Sequence, residues 1–585
     1  MKIKSNKLYW LLGLILVFSC ETTELDLLVD PNVPTPDALD ANTNLNFLQV
    51  QFTKFFEDAT ESGAETVRQE YMFDTYENNF NNTNASNSGM WQTAYADILK
   101  EVEALIPIAT ETGRVRHIGV ARIIRAYTLM IMVDYFGDIP FSETLQGQDG
   151  VIFPGLDSGA DVYDAAFAEL DLALADFANI DSQITPTFTD LYFDEGSSNT
   201  MDNWTKLANT LKFRYYLNRR LIDAAGATAG INALLASGDI ITTSAEDFKW
   251  VSGTSLNPQS KHPYFVEEYL AANTGEYIPN YLMWTLAVEK PLEDPRLRFY
   301  VYRQVNSFPS DPATLDNEIS CWNDPRPSTY LPIDMMQTED LPFCSLFGRG
   351  DGYWGRDHAN REGIPPDNTK RTTFGVYPAG GRFDNDDPEG IDDFDGLEGA
   401  GLWPIMTNEF VYFMRAEAAL YLGTSDDAAA MLEQGIRSSI TAVQGLGGAY
   451  TETILNEVIV EDDPATMEDE TVLRRDQLNI TTQATEDYIA SVMTAYMAAA
   501  SDEERMDIIG KEYWIALYGN GVEAYNLYRR TGAPGNLQPT LLGTGTFPRS
   551  FLYPNITVDR NLNISQKPGL AEQVFWDNNP PEFIQ

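Results

Sequence analysis

Carboxylates are the most abundant groups in this sequence that could do chemistry. The 585 residues include 87 Asp and Glu, and two carboxyl groups about 5 to 9 Å apart are what most glycoside hydrolases use. No string singles out such a pair. The three histidines, His117, His262 and His358, are scattered, and we find no metalloprotease, serine hydrolase or P-loop motif. The sequence therefore predicts that the protein is not an enzyme, with an envelope hydrolase as the alternative.

A second chemistry open to carboxylates is the binding of calcium through oxygen ligands. Six aspartates stand close together, namely Asp384, Asp386, Asp387, Asp392, Asp393 and Asp395. Their spacing does not fit an EF-hand, because Gly390 falls at the wrong place. We predict a solvated acidic loop and no cofactor, with bound calcium as the alternative. Three His and three Cys also leave little material for zinc, haem or iron–sulfur sites.

The balance of charge excludes whole classes of partner. Lys plus Arg number 39 against 87 Asp plus Glu, so the formal net charge is −48. Nucleic acid and anionic lipid are both bound through clustered Lys and Arg, so we predict neither as a partner. Hydrophobic residues make up 43% of the chain, which predicts a folded protein despite the charge.

The first twenty residues predict the compartment. Three lysines precede the apolar run 8–18, which is too short to span a bilayer. The run ends at residues 16–20, Leu-Val-Phe-Ser-Cys, which resemble the lipobox of a bacterial lipoprotein. Residues 1–19 would then be a signal peptide, and a lipid on Cys20 would be the membrane anchor. An ordinary secretory signal is the alternative. The acidic residues just after Cys20 resemble a surface-export signal of the Bacteroidota.

The remaining cysteines, Cys321 and Cys344, are candidates for a disulfide bond. The envelope is an oxidising compartment, in which such bonds persist. The sequence gives no distance between the two Cα atoms, so two buried free thiols are an equal alternative.

Helical patterning dominates both ends of the chain. Apolar residues at helical spacing predict helices over 94–109, 120–136, 161–177, 204–221, 406–422, 426–440, 488–500 and 502–518. Antiparallel pairs of helices with small residues at the crossings resemble tetratricopeptide repeats. Between the two helical parts, many prolines and glycines rule out long regular elements.

The predicted domain organisation follows from this pattern. A lipidated flexible tether covers 20–43 and a single globular unit covers 44–585. The helical scaffold comprises 44–225 and 406–530, and it carries a loop-rich region over 226–405. Loops on rigid scaffolds usually carry binding function, so we predict the binding site there.

Several strings, in order along almost the whole mature chain, resemble the SusD/RagB family of outer-membrane lipoproteins. The most diagnostic is residues 121–127, Ala-Arg-Ile-Ile-Arg-Ala-Tyr, followed by residues 133–140, Val-Asp-Tyr-Phe-Gly-Asp-Ile-Pro. The other strings that fit the family are residues 30–35, 91–98, 355–358, 373–381, 414–418, 514–517 and 525–532.

The resemblance implies a mainly α fold with tetratricopeptide-like helix pairs packed against a loop-rich binding half. It also implies a lipoprotein on the cell surface that forms a lid over a SusC-like TonB-dependent transporter. Such proteins capture oligosaccharides, or peptides in the RagB branch, and deliver them to the transporter. They are not enzymes. The expected partners are therefore the transporter and a glycan.

A glycan binder needs flat aromatic rings with polar side chains beside them, because a sugar offers both hydroxyls and apolar C–H faces. Trp322 and Trp354 are the best candidates, since their neighbours are turn formers. The full predicted ligand-binding set is Trp322, Trp354, Tyr353, Trp284, Tyr330, Arg356, Asp74 and Trp91. For each aromatic residue, packing in the core is the alternative.

The acidic composition favours a neutral glycan over sulfated or uronic-acid-rich chains, which it would repel. The main alternative keeps the fold and the transporter but makes the ligand a peptide. A further alternative is a tetratricopeptide-like scaffold that binds only protein.

Overall fold

The computed structural model describes residues 40–584 except 82, 182–185, 194–199, 271–276, 306–351, 360, 362–370, 463–468 and 541–544. Within these ranges α-helices dominate, and the β-structure is confined to three two-stranded antiparallel ribbons. The prediction of a mainly α fold is confirmed. Five residues named in the sequence predictions lie outside the described residues: Cys20, Cys321, Trp322, Tyr330 and Cys344.

Fourteen helices of eight residues or more are found in the described part of the chain. Their bounds are α1 (Ala41–Thr66), α2 (Ala85–Gln92), α3 (Lys100–Glu111), α4 (Val115–Phe136), α5 (Gly159–Ala178), α6 (Thr200–Asn218), α7 (Ala224–Ser237), α8 (Asn280–Ala287), α9 (Asn408–Leu422), α10 (Ala428–Leu446), α11 (Gly448–Leu455), α12 (Thr482–Ala498), α13 (Asp502–Ala516) and α14 (Gly521–Thr531). A π-helical segment, Thr93–Leu99, joins α2 to α3.

The remaining regular elements are short. The ribbons pair β1 (Phe248–Val251) with β4 (Leu402–Met406), β2 (Val301–Tyr302) with β3 (Thr373–Phe374), and β5 (Val458–Asp462) with β6 (Asp469–Leu473). Helical segments of three to five residues are Tyr76–Asn79, Gly147–Asp149, Arg219–Leu221, Ser244–Glu246, Pro263–Phe265, Val266–Leu270, Leu297–Tyr300, Arg474–Gln477, Asn555–Val558 and Pro581–Phe583. Half of these short elements lie wholly or mostly within residues 226–405, the region predicted to be loop-rich.

The eight predicted helices are all present, with ends set by local capping. α4 ends at Gly137, whose φ of 72° is a backbone conformation that glycine adopts without strain. α5 begins after Ser158, whose side chain caps the helix by accepting a hydrogen bond from the Asp161 backbone N–H. α1 begins at Ala41, inside the segment 20–43 that was predicted to be a flexible tether.

Helix pairing builds the scaffold from both ends of the chain. Consecutive helices pack against each other from α4 to α7, and α9 packs on α10 and α13. α1 contacts α14, so the first and last long helices close the unit together. At this contact a Cβ on Gly521 would lie 2.0 Å from the carbonyl oxygen of Thr60, and only glycine allows such a close approach.

A buried polar network explains two of the strings that carry the family resemblance. Asp134 on α4 is fully buried, and its Oδ2 accepts hydrogen bonds from Arg214 at 2.6 Å and Asn526 at 2.9 Å. Its Oδ1 accepts from Tyr163 at 2.6 Å and from the indole of Trp576 at 2.8 Å. One carboxylate thus connects α4, α5, α6, α14 and the C-terminal segment.

Several arginines on the scaffold pair with carboxylates. Arg415 binds Asp426 at 2.7 Å and Arg530 binds Glu417 at 2.7 Å. Arg125 binds Glu103 and Glu169. None of the described helices combines the length and the apolar content needed to cross a bilayer.

Candidate functional site

A short extended segment, residues 353–359, positions the candidate site. The backbone of Arg356 exchanges hydrogen bonds with Ile278 and Asn280 on one side. The backbone of Trp354 accepts from Thr372, and Ala359 donates to Met72 at 3.0 Å. A Cβ on Gly355 would lie 1.9 Å from the carbonyl oxygen of Ile278, which explains the glycine of this string. Three distant parts of the chain therefore meet here.

An exposed aromatic ring lies where these parts meet. Phe73 is 51% exposed, and its ring stands edge-on to Tyr71 at 6.5 Å. Tyr71 in turn contacts Tyr277, with 5.7 Å between the ring centroids. Arg356 supports both tyrosines, because its guanidinium lies 4.6 Å from the ring centroid of Tyr277 and donates to the hydroxyl of Tyr71 at 2.8 Å. We call Phe73, Tyr71 and Tyr277, with Asp74 and Arg361 beside them, the aromatic face.

Asp74 and Arg361 form the polar part of the aromatic face. Nη1 of Arg361 donates to both carboxylate oxygens of Asp74, at 3.0 and 2.9 Å. Burial acts to raise the pKa of Asp74, but the hydrogen bonds from Arg361, Thr75 and Asn78 outweigh it, so the pKa lies below its usual value. Asp74 has a φ of 75°, a conformation that aspartate tolerates better than most residues. Its carboxylate is therefore held ionised and in a fixed orientation.

Amide side chains continue this polar surface. Asn78 donates to Asp74 at 2.8 Å, and Asn81 is exposed enough to reach solvent while donating to the backbone of Asn78. Asn84 caps α2 by accepting from the backbone N–H of Asn87. Asn78, Asn81 and Asn84 thus add amide groups along the chain that follows Phe73 and Asp74, which suits a ligand rich in hydroxyl groups.

The aromatic residues predicted as platforms that the structure describes are buried instead. Trp354 is 3% exposed, and Tyr353, Trp284 and Trp91 are buried as well. Trp91 packs edge-on against Phe136, with 5.0 Å between the ring centroids. The guanidinium of Arg303 lies 4.9 Å from the ring centroid of Tyr353. The expectation that these four present an open ring face is wrong, because tertiary packing covers them.

Two other residues predicted to bind the ligand, Arg356 and Asp74, do lie at or beside the aromatic face. Arg356 is buried, and its contacts make it a support for Tyr71 and Tyr277. Asp74 lies at the surface of the aromatic face. The predictions for Trp322 and Tyr330 fall outside the described residues.

Phe73 and Tyr277 were missed by the sequence reasoning. A signal for Phe73 was present, since it precedes Asp74 and an asparagine-rich stretch in a break between helices. Tyr277 had no such signal, because its role depends on contact with Tyr71 and Arg371, which are far away in the sequence.

The acidic loop of residues 384–395 is held by arginines. Asp384 binds Arg303 at 2.6 Å and Asp395 binds Arg382 at 3.2 Å. Arg303 also reaches Asp386 at 2.7 Å. No group of three or more His, Cys, Asp or Glu among the described residues is arranged to hold a metal ion. Arg303 and Arg382 therefore neutralise part of the negative charge of this loop.

The three histidines lie in separate, buried places. Burial lowers the pKa of His262 to about 3 and of His117 to about 4, so both are neutral at pH 7. Burial also holds the pKa of His358 well below its usual value, and its ring lies 3.0 Å from the hydroxyl of Tyr76. These contacts are those of histidines that pack in the core.

Two sequence models of one family match the chain. A SusD-like model, described as starch-binding and associating with the outer membrane, matches residues 35–314. A second, described as SusD and RagB outer membrane lipoprotein, matches residues 401–547. A comparison with curated protein sequences finds no match.

Solved structures share the fold. A chitin-binding protein aligns with a TM-score of 0.62 at 17% identity, covering 92% of this chain and 100% of its own. A chitin-binding SusD homologue from Flavobacterium johnsoniae aligns at 0.55 and 19%, covering 92% and 100%. A SusD/RagB family protein from Bacteroides thetaiotaomicron aligns at 0.61 and 17%, covering 93% and 100%. At these identities the likeness establishes the fold, and the two sequence models together match well over half of the chain. The chain therefore belongs to the SusD/RagB family of outer membrane lipoproteins.

Proposed function

We propose that this protein captures oligosaccharides at the aromatic face and delivers them to a SusC-like TonB-dependent transporter. The observation that carries the proposal is the half-exposed ring of Phe73 beside the ion pair of Asp74 and Arg361. In this proposal a lipid on Cys20 holds the protein at the cell surface, and the protein binds its ligand without transforming it.

The geometry of the aromatic face supports a sugar ligand. The apolar C–H face of a pyranose ring can stack on Phe73, which Tyr71 holds from the side. The ionised carboxylate of Asp74 accepts hydrogen bonds from hydroxyl groups, and Arg361, whose side chain is 48% exposed, donates them. An open surface of this kind gives modest affinity, which suits a protein that must release its ligand.

A neutral glycan fits the charge of the protein best. The net charge of −48 repels polyanions at long range. Two of the similar structures carry titles that name them as chitin-binding. Chitin oligosaccharides are neutral, so they are the first ligands to test, followed by neutral glucans, fructans and mannans.

The experiment is a binding screen of residues 21–585 by affinity electrophoresis and calorimetry. The panel holds neutral polysaccharides, acidic polysaccharides, chitin oligosaccharides and a peptide digest. We expect one neutral glycan to bind, and Phe73→Ala to weaken that binding at least about tenfold, or about 1.4 kcal/mol, through loss of the stacking surface.

The matched control is Phe47→Ala. Phe47 is 41% exposed, comparable to Phe73, but it lies on α1, so its replacement leaves the affinity unchanged. Equal losses in the two variants would contradict the site. Binding of peptides and of no glycan would replace the glycan by a peptide as the ligand. Release of shortened sugars from a bound glycan would contradict the proposal that the protein is not an enzyme.

A further inference from the structure

An exposed apolar surface lies just beyond the C-terminal end of α4. The loop 139–157 and the segment 553–564 build it together. We call its large exposed side chains the apolar patch: Leu145, Ile152, Leu156, Ile556 and Leu562. Single exposed apolar residues are common on protein surfaces, but several of them in neighbouring segments indicate a contact surface.

The two segments hold each other in place. The side-chain amide of Asn561 donates to the carbonyl oxygen of Pro154 at 2.8 Å. The amide of Asn563 donates to the carbonyl oxygen of Phe153 at 2.6 Å. These bonds lie on either side of Leu562 in the sequence and directly after Ile152, so the apolar patch extends across both segments.

The loop 139–157 is fixed by its own hydrogen bonds. At its base the backbones of Ile139 and Asp157 exchange two hydrogen bonds, at 3.2 and 3.0 Å. The carboxylate of Asp157 also accepts from two backbone N–H groups of the loop, both at 2.8 Å, and Glu143 accepts from the N–H of Gly155 at 2.8 Å. The patch thus stands on an ordered backbone, which keeps the entropic cost of docking low.

Leu145 occupies an unfavourable conformation without gaining burial. Its φ of 61° lies in the left-handed region, which is costly for a side chain larger than glycine. Its side chain is nevertheless exposed, so packing within this chain does not offset that cost. Strain of this kind is typical of surfaces shaped for a partner.

The apolar patch and the chain that leads to the lipid anchor lie at opposite ends of α4. Asp40, the first described residue, binds Arg114 at 3.8 Å beside the start of this helix. The 22 residues of α4 span about 33 Å. The stretch 20–39 can reach at most about 70 Å, which is twice that length. A protein anchored through Cys20 can therefore turn the patch towards a partner in the same membrane.

The size and charge of the surface decide between partners. A stable contact between freely diffusing proteins uses about 20 to 30 residues a side, so the patch is too small to hold a second copy of this chain. Exposed carboxylates in the same segments, Asp149 and Asp559, and the net charge of −48 repel both a second copy and anionic lipid. A small patch suffices against a protein confined to the same membrane, because confinement raises the effective concentration.

We propose that the apolar patch is the surface through which this protein closes on the membrane-embedded transporter. The inference rests on the proposed function, which supplies that partner, and it adds the face of this chain that meets it. The complementary surface of the transporter is apolar and carries no excess of negative charge. A contact of this size can open again to admit the next ligand.

Co-purification from outer membranes tests this surface. The tagged, full-length lipoprotein is isolated in detergent-free polymer nanodiscs, and mass spectrometry identifies the proteins that accompany it. Ile152→Asp with Leu562→Asp places charge in the patch, and we expect it to recover at most a tenth of the TonB-dependent transporter that the wild type recovers. Ile152→Ser with Leu562→Ser removes apolar surface without adding charge, and we expect at least a threefold loss.

The matched control is Phe394→Asp with Met497→Asp. These side chains are 75% and 71% exposed, against 68% and 82% for Ile152 and Leu562, but they lie in the acidic loop and on α12. The control recovers the transporter within twofold of the wild type. Circular dichroism shows that the variants are folded, and calorimetry gives all of them the glycan affinity of the wild type within twofold, because none of the changes touches the aromatic face.

The outcomes separate this inference from the proposed function. Equal recovery of the transporter by the wild type and the patch variants overturns the inference alone. A wild type that recovers no transporter contradicts the partner of the proposed function, and the inference falls with it. Recovery that depends on the patch in a protein that binds no glycan supports the inference and contradicts only the ligand. A homodimer in solution that the patch variants abolish makes a second copy the occupant and overturns the inference.

Discussion

Replacing Asp134 by alanine lowers the free energy of unfolding by about 3 to 5 kcal/mol, which is the range for removing one partner of a buried ion pair. The change leaves Arg214 buried with one of its two carboxylate partners missing. It also removes the acceptor of Tyr163, Asn526 and the Trp576 indole, which stay buried. Unpaired buried donors of this kind cost more than the lost bonds themselves.

Denaturant unfolding followed by circular dichroism measures this effect. The matched control is Asp164→Ala on α5, because Asp164 also binds an arginine, Arg219 at 2.7 Å, but its side chain is 57% exposed. A surface pair of this kind contributes less than about 1 kcal/mol. Similar losses in the two variants would contradict the idea that the network around Asp134 connects the helices.

The helical scaffold was predictable because its signals are local. In the helix Val115–Phe136, apolar residues fill most positions, and Gly137 and Pro140 mark where it must end. The helix Asn408–Leu422 likewise ends at Gly423. Such patterns depend on neighbours within a few positions, so one sequence is enough to read them.

The candidate site was harder to predict because exposure depends on distant contacts. Trp354 is flanked by turn formers, yet it is buried. Its backbone is hydrogen-bonded to Thr372, which comes from another part of the chain. Phe73 is exposed although phenylalanine is usually buried. Neither outcome follows from the local sequence. The aromatic face exists only because residues 71–74, Tyr277 and Arg361 meet in the fold.

The same limit applies to the last long helix. Gly521–Thr531 contains Arg529 and Arg530, which are almost fully buried. The residue types alone do not show whether these two charges are exposed or buried, or what binds them. They can be buried because Arg530 meets Glu417 and because Arg529 donates to the backbone of Arg549 at 2.7 Å. Buried charges require such partners, and the partners are more than a hundred residues away in one case and twenty in the other.

Lys567 gives the protein a pH-dependent stability that a methionine in its place removes. Burial lowers the pKa of Lys567 to about 7, although Glu572 and Asp138 act to raise it. The Nζ atom donates to Ser550 at 2.8 Å and lies 5.0 Å from the ring centroid of Tyr553. In the unfolded chain a lysine has a pKa of about 10.4. Between these two values the unfolded state binds more protons, so this lysine makes stability rise with pH, by about 1.4 kcal/mol per unit.

The difference in unfolding free energy between wild type and Lys567→Met isolates this contribution. Other buried groups act in the opposite direction, such as Glu409, whose pKa burial raises to about 8, but they are common to both proteins. At pH 6 the lysine is charged in both states and the full cost of burying its charge is present, roughly 4.7 kcal/mol from the two pKa values, so Lys567→Met is the more stable protein. That advantage shrinks steadily as the pH rises from about 7.5 to 9. A constant difference across this range would mean that Lys567 stays charged in the folded protein, and a variant less stable than wild type at pH 6 would mean that its bond to Ser550 outweighs the cost of burial.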